Sequence, residues 1–193
     1  YIETDSYKKA NLHISIDASG SMNGSKWSKT MTNVVALCKA VDMIQNLSIQ
    51  VSFRTTSNNT PYIVMAYDSR TDKFSKVKQM FPALNAGGTT PEGLCFEAIT
   101  KNFLGSTNDM DSYFLNISDG EPYFENSDIT YYGEKAAIHT KQQVDKMIAK
   151  GVKVLSYFIH GGYLGSNQDT FKQMYGKDAQ FIDTNQLVPL AKS

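Results

Sequence analysis

Three short stretches, far apart in the chain, share one chemistry. Asp17, Ser19 and Ser21 alternate through Asp17-Ala18-Ser19-Gly20-Ser21, Thr89 and Thr90 follow the pair Gly87-Gly88, and Asp119 stands within Ser118-Asp119-Gly120. All of these side chains are hard oxygen donors. Magnesium takes oxygen ligands in near-octahedral geometry, keeps several waters and uses few protein carboxylates, so hydroxyls with two aspartates suit it. Two carboxylates just neutralise a divalent cation. Alternation along a turn lets Asp17, Ser19 and Ser21 converge on one point, with Gly20 allowing the backbone to bend between them. One position would then stay for water or for an incoming oxygen, ideally the carboxylate of a protein partner. Mn2+ and Ca2+ are the alternative ions, and a hydroxyl-rich set favours the smaller Mg2+ over calcium.

Such a site needs loops gathered at one rim of a scaffold. Leu12, His13, Ile14, Ser15 and Ile16 alternate and stop at Asp17, the pattern of a strand, and Trp27, Met31, Val34, Cys38 and Val41 then recur at helical spacing, with Ser25 placed to cap that helix. Apolar runs over 49–53 and 62–67, separated by Thr, Ser and Asn residues and Pro61, predict a hairpin. Phe74, Val77 and Phe81 suggest a helix over 70–81, and Pro91 suits the first turn of a helix carrying Leu94, Ala98 and Ile99. The run 112–118 has the near-continuous apolar character of a strand buried on both faces, and Asp119 sits where it ends. A helix from about 134 to 150 closed by Gly151, a strand over 152–159, a short helix over 169–175, a strand over 180–183 and a last helical turn disturbed by Pro189 follow. Strands alternating with long helices predict an α/β fold: a doubly wound, mostly parallel central sheet with helices on both faces and one antiparallel edge strand from the hairpin. Ligands bind such sheets outside the carboxyl ends of the strands, where Asp17 and Asp119 fall.

The 193 residues are expected to form one domain, with 1–11 as a lead-in, since no repeat, low-complexity tract or linker divides them. A hydrophobic fraction of 41% with 20% charged residues is that of a globular protein rather than a disordered or fibrous one. Lys and Arg number 19 against 19 Asp and Glu, so no net field draws nucleic acid or an anionic membrane, and neither is expected as a partner. Cys38 and Cys95 fall on helix faces that look buried and do not make a disulfide scaffold, a usage that favours a cytoplasmic setting.

Asp17-Ala18-Ser19-Gly20-Ser21 closing the first strand, Gly87-Gly88-Thr89 before a helix and Ser118-Asp119-Gly120 ending a later strand together resemble the metal ion-dependent adhesion site of von Willebrand factor type A domains. The resemblance covers nearly the whole chain. It implies a metal site in which Ser19 and Ser21 bind directly, Thr89 binds directly or through water, and Asp17 and Asp119 act largely through water. Thr90 is the rival to Thr89, which is preferred because it follows the glycines and stands four residues before Gly93. Thr89-Thr90-Pro91-Glu92-Gly93, with Ser52-Phe53-Arg54-Thr55-Thr56 and Ser118-Asp119-Gly120-Glu121-Pro122, looks most like intracellular bacterial and phage members such as the A-domain subunit of cobaltochelatase. That implies a non-catalytic subunit working beside an AAA+ ATPase. An extracellular adhesion domain is the other setting the same site would serve.

Enzymatic readings fit less well. A phosphoryl-accepting Asp17 of the haloacid dehalogenase kind wants a second aspartate two positions on, where Ser19 stands. A nucleophilic Ser19 or Ser21 needs a histidine base, yet His13 lies within a strand, His139 within a helix, and His160 beside Gly161 and Gly162 in a loop. Glu92 and Glu121 flank the donors, where they either tune a metal or, for Glu92, simply suit a first helical turn. Tyr123, Phe124, Tyr131 and Tyr132 supply aromatic surface for an interface or for the core.

Overall fold

The computed structural model describes residues 8–102, 105–160 and 167–184. In chain order these form β1 (Lys9–Asp17), α1 (Ser25–Val41), β2 (Leu47–Ser57), β3 (Thr60–Asp68), α2 (Ser75–Met80), α3 (Glu92–Asn102), β4 (Met110–Ser118), β5 (Tyr123–Glu125), β6 (Thr130–Tyr132), α4 (Gly133–Ala149), β7 (Lys153–His160), α5 (Asn167–Tyr175) and β8 (Ala179–Asp183). The main sheet runs β3-β2-β1-β4-β7-β8, parallel except for β3 at its edge, and β5 and β6 make a small separate sheet. This is the doubly wound α/β architecture expected from the alternation of strands and helices.

Each sheet face has its own apolar core. Ile14, Ile16, Val51 and Phe53 meet Val34, Cys38 and Val41 of α1, Val77 of α2 and Phe81 just beyond it. On the opposite face Phe114, Val154 and Phe158 meet Phe96 of α3, Val144 and Met147 of α4 and Phe171 of α5. Full burial of such side chains stabilises by about 1.5–3 kcal/mol each. β1 is unusual in the second layer. Its alternation sends Asn11, His13, Ser15 and Asp17 to that face, and all four are buried rather than wet. Their polar atoms are satisfied laterally: His13 Nε2 lies 2.8 Å from Ser52 Oγ, and Ser15 Oγ accepts from Arg54 at 3.0 Å.

Several boundaries differ from the sequence expectation for identifiable reasons. β1 starts at Lys9, inside the expected lead-in, because ladder pairing with 47–48 and 110–112 asks only for backbone groups. The hairpin strands are longer than their apolar runs because Asn58 and Asn59, with φ of 48° and 55°, make the tight turn between them, which leaves Pro61 on the edge strand. The helix expected over 70–81 begins only at Ser75. Asp68 accepts the Arg70 N–H at 3.0 Å and its guanidinium at 2.6 Å, and Asp72 accepts the Asp68 N–H at 2.9 Å, which closes 68–72 as a turn. Ser25 does not cap α1. Gly24 occupies the cap position at φ 78°, without a side-chain cap, and Ser25 is already helical. The turn containing Pro189 lies outside the described residues.

Candidate metal centre

The backbone alone brings two of the three stretches together. Asp17, the last residue of β1, is in register with Arg54, and Ala18 N donates to Arg54 O at 2.9 Å. Gly87 N donates to Ala18 O at 2.7 Å and Gly20 N to Gly88 O at 3.1 Å, stitching the loop after β1 to the loop before α3. Gly88 is essential to that close approach. Its φ is 77°, and a Cβ there would lie 2.5 Å from the Thr56 carbonyl oxygen.

Four hydroxyls and two carboxylates then converge. Ser19 N donates to Asp17 Oδ1 at 2.8 Å, the Ser19 and Ser21 hydroxyl oxygens are 3.0 Å apart, and Ser21 donates to Asp119 Oδ1 at 2.6 Å. Ser118 donates to Asp17 Oδ2 at 2.9 Å. Asp17, Ser19, Ser21 and Asp119 are thus joined in one chain of contacts. Thr90 Oγ1 reaches Asp17 Oδ2 at 3.4 Å and is buried, whereas Thr89 Oγ1 faces away to Thr56 Oγ1 at 3.1 Å. Of the two threonines weighed from the sequence, the structure brings Thr90 to the aspartate and leaves Thr89 outside the cluster. Pro91 is the signal that favours this: the residue before a proline is held extended, and Thr90 forms a bridge with Tyr123, so consecutive side chains point oppositely.

Lys26 completes the cluster and was not anticipated. Its ammonium, from the first turn of α1, pairs with Asp119 Oδ2 and donates to the Ser21 carbonyl at 3.2 Å. A lysine at the start of a helix is too ordinary to stand out in a sequence. Burial pushes the Asp17 carboxyl above the usual carboxylate range, with Asp119 adding to the rise, while Arg54, the Ser19 N–H and the Ser118 hydroxyl oppose it.

The donor set fits a small oxygen-seeking cation. No group of three or more His, Cys, Asp or Glu among the described residues is placed to hold a metal, so a cation here would rest chiefly on hydroxyls. Ser21 and Ser118 give their protons to carboxylates, so Ser19 donates in the Ser19–Ser21 contact and Ser21 keeps one further lone pair for a cation. An octahedron of oxygens at about 2.1 Å has an edge of about 3.0 Å. The Ser19–Ser21 separation of 3.0 Å matches that edge.

The flanking groups sort differently. Glu92 is fully buried, and Oε1 accepts from Arg54 at 2.7 Å and from Asn116 at 3.0 Å, with Asn116 also donating to Tyr175 at 2.9 Å. It therefore belongs to a sealed network under the site rather than to a solvated helix turn. Glu121 accepts from Thr170 at 2.8 Å. Phe124 and Tyr131 are buried, whereas Tyr123 and Tyr132 stack with centroids 5.8 Å apart and stay half exposed. His13 pairs with Ser52, and His139 lies near Tyr131 and Gln143. Burial pushes both cysteine thiols up to about 12, and both are free.

The chain is similar to the vWF domain of the type V pili tip protein Mfa5 from Porphyromonas gingivalis (TM-score 0.71, 9% identity, 92% of this chain and 90% of that one). It is also similar to the pilus adhesin SpaC from Lactobacillus rhamnosus GG in its open conformation (TM-score 0.65, 12% identity, 94% of this chain), of which it spans 29%. The manganese-loaded TRAP protein of Plasmodium vivax is a third (TM-score 0.61, 18% identity, 92% and 70%). At these identities the likeness speaks for the fold alone. No curated protein matches the chain in sequence. The family model of the von Willebrand factor type A domain matches residues 11–182, from the central strand to the last one, and the chain belongs to that family.

Proposed function

We propose that this domain is a protein-binding module that holds a divalent cation, Mg2+ in preference to Ca2+, in a metal ion-dependent adhesion site and offers it to a carboxylate of its partner. The observation that carries the reading is the geometry at Ser19 and Ser21: two hydroxyl oxygens one octahedral edge apart, backed by the buried carboxylates of Asp17 and Asp119. Ser19 and Ser21 would bind the ion directly, Thr90 in place of Thr89, and the two aspartates largely through water. Bound metal would supply Lewis acidity and a positive charge at the rim. The chain's own part is to fix the hydroxyls, hold the Ser21 proton on Asp119 and keep the exposed edge at Ser21 open.

Support for a binding role comes from the relatives: two carry pilus descriptions and one is manganese-loaded. The pilus proteins favour an extracellular adhesion setting as a second reading to the cytoplasmic one. No helix among the described residues is long and apolar enough to cross a membrane, which leaves that choice open to experiment. The test is capture of host proteins on the immobilised domain with magnesium or with chelator, using the wild type and Asp119→Ala. A partner should be retained only by the metal-loaded wild type, and changing its contacting Asp or Glu to the amide should release it. Capture that survives both chelator and Asp119→Ala refutes the mechanism. An AAA+ ATPase in the metal-dependent fraction would place the domain in a chelatase-like machine, and a surface protein would place it in adhesion.

A further inference from the structure

Asp119 and Lys26 are unequally committed to their contact. The Asp119 side chain is 0% exposed and the Lys26 side chain 26% exposed. A buried carboxylate without a counter-charge is costly, so an ionised Asp119 requires a cation beside it. Lysine's charge rides on a flexible four-carbon stem and can return to water with little penalty. Its position is otherwise unfavourable, because the first turn of a helix carries a partial positive charge and α1 has no acidic residue there to offset it. What holds Lys26 inward is the Asp119 carboxylate and the Ser21 carbonyl. Asp119 Oδ1 is taken by the Ser21 hydroxyl and Oδ2 by the ammonium, so both oxygens of the carboxylate beside Ser21 are already engaged.

We infer that Lys26 is a tethered competitor for the cation position: its ammonium neutralises Asp119 when no divalent ion is present and must be displaced before one binds, so that Lys26 sets the divalent-ion concentration at which the site fills. The inference rests on the metal-site reading above. It concerns exchange of one cation for another and needs no change in protonation. Lys29 provides a natural comparison. It lies on the same helix and carries the same charge, but its ammonium is engaged by the Thr184 carbonyl instead of the site.

The experiment is calorimetric titration of MnCl2 into the wild type, Lys26→Met, Lys26→Arg and Lys29→Met, with thermal melting of each in chelator and in saturating Mn2+. Lys26→Met should bind Mn2+ roughly ten-fold more tightly, as expected on removing a charge-assisted contact to a buried carboxylate. Lys26→Arg should bind no more tightly than wild type, and Lys29→Met should stay within about two-fold of it, its charge being screened. In chelator Lys26→Met should melt below the wild type, and saturating Mn2+ should close or reverse that gap. Wild type that binds Mn2+ with a Lys26→Met affinity equal or weaker, or with Lys29→Met tightening as much, overturns the role of Lys26 and leaves the metal site standing. Absence of Mn2+ binding in both the wild type and Lys26→Met overturns the metal site and this inference together.

Discussion

Two clusters of charge lie one above the other in this domain and are built on opposite plans. The lower one, Arg54 with Glu92, Asn116, Ser15 and Tyr175, is sealed between β1, β2, β4 and the helices of one face, and its two formal charges cancel. The upper one, Asp17, Ser19, Ser21, Thr90 and Asp119, carries two negative charges against the single ammonium of Lys26 and reaches the surface at Ser21, its other members being buried. Hydrogen bonding alone does not separate the two, since both are densely bonded. What separates them is charge balance: the cluster whose charges cancel supports the fold, even though Arg54 Nε and Glu92 Oε2 have no hydrogen-bond partner among the described residues, and the one left with unmatched negative charge is placed to attract a cation.

That contrast orders the expected responses to mutation. Arg54→Met should cost the most, about 3–5 kcal/mol in chemical denaturation, because it leaves the fully buried Glu92 carboxylate without its counter-charge. Adding Glu92→Leu should recover much of the loss, and additivity of the two changes would show that the pair is not coupled. The polar row of β1 should then appear in the pH dependence. Burial lowers His13 from 6.5 to about 4. The unfolded chain therefore binds the proton before the folded one does, so the stabilisation is whole above pH 6.5 and is lost as pH falls towards 4, by about 3 kcal/mol in all. His13→Gln should flatten the stability curve across that window, and an unchanged acid limb would count against a neutral buried imidazole. Asp119→Ala should have the smallest effect on folding, within about 1 kcal/mol, since the partly exposed Lys26 can hydrate. A cost as large as that of Arg54→Met would erase the distinction between the clusters.

The sequence exposed the upper cluster far better than the lower one. Asp17 ends an apolar strand, and Ser19, Ser21 and Asp119 sit in the short loops that follow such strands, where their oxygen donors recur in three separate places, and the fold class follows from the strand and helix periods. Arg54 and Glu92 looked ordinary because their pairing joins β2 to α3 across 38 residues of sequence. The polar alternation of Asn11, His13 and Ser15 predicts a strand but does not say that its polar side is covered by helices. Tyr123–Glu125 and Thr130–Tyr132 are three-residue strands, too short to show a period. Which of Thr89 and Thr90 points towards Asp17 depends on backbone direction at Gly88 and Pro91, a matter of a few dihedral angles that sequence spacing does not show.

The most direct test is an anomalous difference map from crystals of the domain soaked in MnCl2. The account predicts one peak about 2.2 Å from the hydroxyl oxygens of Ser19 and Ser21, on the side of Thr90 and not of Thr89, with Lys26 turned away from Asp119. A map with no peak at those serines, under conditions where soaked Mn2+ is found elsewhere on the same molecule, would contradict it.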